Sequence, residues 1–174
     1  MKIYDCILYN GEEIIDLRLE LYSKIVNYFI ILECDRSFQG SKKKFTFNIN
    51  KYPNLKKKII YIKKNCPKII NFSSVWEFET YQRNSLIDGF KKYSDNDFFI
   101  LADVDEIILP KKLIFDKKKI YLYELLNIRF YGNYLCKDSP FFTHSITASC
   151  KLAKEFGMQN LRMSYKALKK KNWQ

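Results

Sequence analysis

Two kinds of hydrophobic spacing alternate through the first 110 residues. Residues 2–9, KIYDCILY, are rich in β-branched and aromatic side chains and run into the turn dipeptide Asn10-Gly11, the pattern of a strand. From Glu12 to Val26 the apolar residues Ile14, Leu17, Leu21 and Ile25 recur at intervals of three and four, which predicts a helix with that stripe buried. Tyr28 to Cys34, YFIILEC, is a short unbroken apolar run and predicts a strand covered on both faces, as in a parallel sheet. Strand, helix and strand in this order make a βαβ unit. Lys58 to Lys63 predicts another strand. Trp76 to Tyr93 predicts a second helix with Phe78, Tyr81, Ser85, Leu86, Phe90 and Tyr93 inward and Glu77, Arg83, Asn84 and Lys91 outward. Asp97 to Ile107, DFFILADVDEI, reads as an apolar strand running into acids before Pro110.

Beyond it, Lys119 to Leu126, Asn127 to Leu135 and Phe141 to Leu152 read as strands and Glu155 to Lys171 as a helix. The stretch from Arg36 to Asn54, with Gly40 and the Lys42 to Lys44 triplet, is an irregular connection long enough to serve as a substrate loop. There is no repeat and no second core, so residues 1–174 are expected to form a single α/β domain whose mixed, mainly parallel sheet is flanked by helices.

The acids at 103–106 carry the chemistry. In a regular strand alternate side chains share a face, so Asp103 and Asp105 are expected side by side, about 7 Å apart, with Val104 in the opposite layer. Phe98, Phe99, Ile100 and Leu101 must be buried before the acids appear, which places the pair at a strand's carboxyl end, where open α/β sheets bind ligands. Two like charges this close call for a cation or hydroxyl donors between them. An all-oxygen set suits Mg²⁺ or Mn²⁺, completed by water and substrate phosphates. The plain alternative is a solvated acidic strand end capped by lysines.

Charge adds a second question. Lys and Arg number 31 against 19 Asp and Glu, a net +12, while Lys, Ile, Phe, Asn and Tyr, which share A/T-rich codons, make up 87 of the 174 residues. Two readings stand: drift in base composition, or a basic face that attracts phosphates. The five cysteines, Cys6, Cys34, Cys66, Cys136 and Cys150, are odd in number and never spaced C-x-x-C. That disfavours a disulfide framework and a zinc site and points to a reducing compartment. With no run of about 18 uncharged apolar residues and no signal-peptide pattern, the chain reads as soluble and cytoplasmic. A peripheral contact with an anionic membrane is the membrane role the charge allows.

Three blocks, YDCILYNGEEIIDLRLELYSKIVNYFIILECDRSFQG, WEFETYQRNSLIDGF and the acidic strand from Asp95 onward, resemble glycosyltransferase family 17, the β-1,4-mannosyl-glycoprotein β-1,4-N-acetylglucosaminyltransferases. The resemblance covers residues 3–110 well and continues weakly to Gln159-Asn160-Leu161-Arg162. It implies a GT-A-like nucleotide-sugar fold, a UDP-N-acetylglucosamine donor, a glycan acceptor, a divalent metal and inversion at the anomeric carbon. Asp103 and Asp105 match the family's D-x-D. Asp105 would ligate the metal, Asp103 the metal or the ribose, and Glu106 is the candidate base. Glu33, Arg83 and Asn84 match positions that would line the donor pocket; the bland readings are a surface acid and an exposed helix face.

Two departures from the family pattern stand out. Ile108-Leu109 intervene before Pro110, and the chain reaches Gln174 without the family's Trp-His-Phe-Ser segment or its late His. Trp173 is the candidate trace of that segment and His144 a candidate substitute ligand. This implies a domain incomplete at its C-terminus, with an inactive remnant as one rival reading. A basic nucleic-acid-binding protein is another, disfavoured because no recognition motif is present. The D-x-D phosphatases fit poorly, since their motif ordinarily lies on the first strand.

Overall fold

Residues 1–91, 93–129 and 134–164 are described by the structure, a computed structural model. The strands are β1 (Ile3–Tyr9), β2 (Tyr28–Cys34), β3 (Ile59–Lys64), β4 (Phe98–Leu101), β5 (Tyr121–Leu126), β6 (Ile128–Arg129), β7 (Tyr134–Leu135) and β8 (Phe141–Ser149). The helices are α1 (Ile15–Tyr22), α2 (Val75–Asn84), α3 (Cys150–Phe156) and α4 (Met158–Arg162). Apart from the β6-β7 ribbon, the strands form one mixed sheet in the order β3-β2-β1-β4-β8-β5. The pairs β1-β2, β1-β4 and β2-β3 are parallel, and β8 runs antiparallel to both β4 and β5.

Alternation along the strands divides their side chains between two cores. Tyr4, Cys6 and Leu8 of β1 join Ile30 and Leu32 of β2 against Phe78 of α2, Ala153 of α3 and Met158 of α4. Ile3 and Ile7 join Phe29 and Ile31 against Ile15, Leu19 and Tyr22 of α1. The unbroken apolar run of β2 is therefore covered on both faces, as its sequence implies. Gly11, at φ +111°, makes the tight exit from β1 that Asn10-Gly11 announced.

The first helix forms but is rotated from the expected face. Ile15, Arg18, Leu19 and Tyr22 are buried, whereas Ile14, Leu17 and Leu21 are 37%, 47% and 38% exposed. Apolar spacing could not reveal a buried face on which one position is an arginine. Asp5 lies between Ile3 and Ile7 on the same side of β1 and is fully buried. Arg18 answers it with Nε at 2.9 Å and Nη2 at 2.7 Å. A buried carboxylate left alone is costly, so this pair ties the helix face to the strand.

Other boundaries also move. The strand expected through Ile107 ends at Leu101. The one expected to Leu152 ends at Ser149, whose Oγ accepts from Leu152 N and starts α3. The last helix is split at Gly157 (φ +81°) into α3 and α4, and its expected extension past residue 164, together with Trp173, lies outside the described residues. Cys34 and Cys66 form a disulfide, Cα–Cα 5.9 Å, correcting the cysteine reading. Parallel pairing sets Cys34 opposite Lys64, close to Cys66, a proximity that spacing along the chain cannot express. The inference of a reducing compartment loses its basis.

From β1 the chain moves to β2 and β3 on one side and later returns to place β4 on the other. The order reverses between β1 and β4, and a crevice outside their carboxyl ends is where such sheets bind ligands.

Candidate active site

After Leu101 the chain leaves the sheet through Ala102 into a turn, Asp103 to Glu106, closed by Glu106 N donating to the Asp103 carbonyl at 2.9 Å. Strand alternation does not relate Asp103 to Asp105, because this turn does. Arg18 Nη1 donates to the carbonyls of Asp103 at 2.7 Å and Glu106 at 3.0 Å. The Glu106 carboxylate accepts from Asp103 N at 2.9 Å. Tyr22 OH donates to Ile108 O at 2.8 Å and accepts from Ile108 N at 2.9 Å. Burial pushes that phenol up to about 12, so it remains a donor at neutral pH. Val104 and Ile108 sink into the α1-side core and anchor the turn on either side of Glu106.

The three acids of the turn have different surroundings. Asp103 accepts from Arg83 Nη1 at 2.8 Å and Arg162 Nη2 at 2.6 Å, and its side chain stays 41% exposed. Burial works to raise its carboxyl, but Arg83 and Arg162 hold it below the usual carboxylate range. Glu106 is buried, accepting from Arg162 Nη1 and Nη2 at 2.9 and 3.0 Å and from Ser145 Oγ at 2.9 Å. Asp105 is exposed and has no ion pair among the described residues. Desolvation, then the charges of Asp103 and Glu106, push its carboxyl above the ordinary value.

Two cavities meet at this turn. Over the switch point a cleft of about 280 Å³ is lined by Leu8 of β1, Glu12, Phe38, Glu79 and Arg83 of α2, and Asp103 with Asp105. On the other side a groove of about 1230 Å³ runs along β5 past Tyr121, Tyr123, Phe142 and His144, sharing Asp103, Asp105 and Glu106. The sequence profile of glycosyltransferase family 17 matches residues 1–129, which carry β1 to β6 and the acidic turn.

The chain belongs to glycosyltransferase family 17.

Family 17 membership makes it a glycosyltransferase, acting between a sugar donor and an acceptor. No curated protein and no solved structure matches the chain. Among the described residues of this family 17 chain, no helix is long and apolar enough to cross a membrane.

Of the residues singled out from sequence, the fold brings Asp103, Asp105, Glu106 and Arg83 together and leaves Glu33 and Asn84 aside. Glu33 is fully buried at the end of β2. It accepts from Lys43 Nζ at 2.6 Å, Thr46 N at 2.8 Å, Thr46 Oγ1 at 3.0 Å, Phe47 N at 3.1 Å and Tyr61 OH at 2.5 Å. It is neither a surface acid nor part of either cavity. Asn84 Oδ1 accepts from Gln159 N at 3.0 Å, fastening α4 to α2. Arg83, expected on an exposed face, is buried between Asp103 and Glu79, with which it also pairs. Glu106 is not placed as a base would be, because its carboxylate is buried and already takes four donors. His144 lines the groove beside the acids, and burial, followed by the charge of Arg162, lowers its pKa.

Sequence reasoning missed Arg18, Asp5, Ser145 and the contribution of Arg162. The available signal was an acid in the middle of an apolar strand, since a buried Asp5 requires a cation.

A divalent cation fits the open side of the turn. Asp5, Glu79, Asp103, Asp105 and Glu106 outnumber the guanidiniums of Arg18, Arg83 and Arg162 around the turn, and Glu12 adds a further carboxylate to the cleft. No three His, Cys, Asp or Glu side chains among the described residues converge into a ready cage. A hard ion needs only one or two protein carboxylates when phosphates and water complete its shell. Asp105 is the residue with ligand capacity to spare, while both oxygens of Asp103 already meet guanidinium donors.

Proposed function

We propose that this chain transfers N-acetylglucosamine from UDP-N-acetylglucosamine to a sugar hydroxyl, with inversion and a β-1,4 linkage, on a GT-A-like fold that uses Mn²⁺ or Mg²⁺. One observation carries the reading: a rigidly held turn at the β1/β4 switch point presents Asp103 and Asp105 to a small cleft and a wide groove at once. The cleft suits the nucleotide diphosphate and the groove, with Tyr121 and Phe142 along it, suits a glycan acceptor. The surplus negative charge would repel a diphosphate that entered without a cation; Asp105 would hold that cation, whose chemistry would be to neutralise charge on the departing UDP.

The protein's own groups then have distinct tasks. Arg83 and Arg162 hold Asp103 in one orientation, leaving its outer lone pairs for a ribose hydroxyl or the cation shell. Glu106 is a positioning residue that locks the turn to Arg162 and Ser145. Inversion needs a carboxylate to take the acceptor proton. Among the described acids lining the groove, the exposed ones are Asp105 and Glu124, and with Asp105 assigned to the cation, Glu124 takes the role of base.

Calorimetric titration of UDP and UDP-N-acetylglucosamine, with and without Mn²⁺, tests the reading on wild type and Asp105→Asn. Mn²⁺-dependent affinity that drops at least about tenfold in the variant, at unchanged melting temperature, supports it. Equal affinity in both proteins overturns it.

A further inference from the structure

The positive charge is not spread over the molecule. Between residues 36 and 76 there are eleven cationic residues, Arg36 and ten lysines, and no Asp or Glu, so this stretch carries +11 of the net +12. An even spread of the 19 acids would put about four there. Codon bias raises lysine, but it does not remove acids from 41 consecutive residues.

The two ends of this segment are fastened together beside one edge of the sheet, on the α2 side, while its middle, through Phe47, Tyr52 and Leu55, packs on the α1-side core. β3 is the edge strand, and the loop after β2 is fastened to the chain that follows β3. The Cys34–Cys66 disulfide joins them, Cys66 N donates to Asp35 Oδ1 at 2.8 Å, and Arg36 bridges Cys66 O at 3.3 Å and Gly40 O at 3.1 Å. Gly40 lies so close to Ile69 that a Cβ there would stand 2.7 Å from the isoleucine Cβ. Phe72 packs on Phe78 and Tyr81 at ring distances of 5.2 and 5.6 Å, attaching the start of α2 to the same platform.

Lys42, Lys44 and Lys68 flank this platform, are exposed and form no ion pair among the described residues, whereas Lys51, Lys56 and Lys57 stand on the connection that packs on the α1-side core. On the same platform Ile70 is 84% exposed and Trp76 74% exposed. Phe38, from the fastened loop, lines the switch-point cleft, so the platform adjoins the mouth of the candidate active site.

We propose that this lysine-rich edge, with Ile70 and Trp76 as apolar anchors, docks the protein peripherally on an anionic lipid bilayer. Each lysine near such a surface gains from its negative potential, long lysine stems lie along apolar surface while their ammonium groups reach headgroups, and tryptophan settles at the membrane–water interface. An aliphatic side chain held almost fully in water suits insertion at the acyl boundary. Single-stranded nucleic acid, by contrast, is held by stacking rings and phosphate contacts, to which an aliphatic side chain adds little. A protein docked this way works on an acceptor carried by the membrane.

Co-sedimentation with phosphatidylcholine vesicles, with and without phosphatidylglycerol, tests this without any sugar donor, so it stands or falls apart from the transferase reading. Binding is expected only with phosphatidylglycerol and should weaken as salt rises. Both Lys42→Ser/Lys44→Ser/Lys68→Ser and Ile70→Ser/Trp76→Ser should reduce it at least about tenfold while leaving the melting temperature unchanged. No binding to anionic vesicles, equal binding to both vesicle types, or an Ile70/Trp76 variant that binds as wild type would overturn the proposal. So would displacement from the vesicles by an equal charge of single-stranded oligonucleotide.

Discussion

Glu33 and Asp103 both stand at the carboxyl ends of parallel strands, with β1 between them, yet one is sealed and the other is open. Glu33 receives five donors, mostly from the loop that follows its own strand, and is fully buried. Asp103 receives guanidinium donors from α2 and α4, and its side chain remains 41% exposed. The same residue chemistry at the same sheet edge makes a sealed strut in one case and an open acid in the other. What differs is where the donors come from. A loop that folds back over its own strand end closes the carboxylate, whereas donors delivered from distant helices hold it from beneath and leave its outer face open to solvent.

The largest expected effect comes from removing the support under the open acid. Arg18→Met strips the buried Asp5 carboxylate of its partner and releases the carbonyls of Asp103 and Glu106, and should cost about 3–5 kcal/mol in urea unfolding. Asp5→Leu added to it should recover much of the loss, because two apolar groups need no charge compensation. If the double variant is no more stable than the single, the turn carbonyls rather than the buried charge dominate. The comparison would then rest on the wrong contact.

Glu33→Gln tests the sealed side and should cost about 2 kcal/mol, since it leaves donors from the loop unmatched. Burial alone would raise the Glu33 carboxyl, but Lys43, Tyr61 and the amides of Thr46 and Phe47 bring it below the usual value. A lowered folded value means stability that is present above the ordinary carboxylate pKa and lost as pH falls through the folded one. The variant should therefore show a flatter acid limb in stability against pH, with no change in Mn²⁺-dependent UDP affinity. A loss of UDP affinity would return Glu33 to the donor pocket.

Much of this contrast was beyond the reach of the sequence, for identifiable reasons. Strand identity was legible because burial on two faces leaves an unbroken run such as YFIILEC, and the acids after FFIL were legible because apolar burial must stop somewhere. The face of α1 was not. Its buried stripe contains Arg18, whose partner lies 13 residues away on a strand, and periodicity weighs an arginine as solvent-facing. The burial of Glu33 and of Arg83 and the Cys34–Cys66 pair were not legible because their surroundings are made by contacts between distant segments. The turn at 103–106 shows the same limit, since an apolar run gives no sign of where its ladder hydrogen bonds end.

Glu106→Gln sharpens the comparison from inside the open site. As a strut between Arg162, Ser145 and Asp103 N, Glu106 should cost about 1–2 kcal/mol of stability when its charge is removed. Turnover should fall through a loosened turn, with UDP affinity falling alongside. An unchanged melting temperature and UDP affinity, with turnover abolished, would identify Glu106 as the base after all.

Asp105→Asn has the smallest expected effect on the fold and the most selective effect on binding. The side chain is exposed, supports no other described residue through an ion pair, and carries its charge against the repulsion of Asp103 and Glu106. Removing that charge should leave the melting temperature unchanged or slightly higher, as for surface substitutions generally. It should also abolish the gain in UDP affinity that Mn²⁺ confers. An acid whose loss costs the fold nothing and the ligand nearly everything has its negative charge arranged for something other than the protein. That outcome separates Asp105 from Glu33 and Glu106 in a single pair of measurements. A destabilised Asp105→Asn that still binds Mn²⁺ and UDP as wild type would instead make the whole acidic turn a structural device, and the distinction between sealed and open acids would fail.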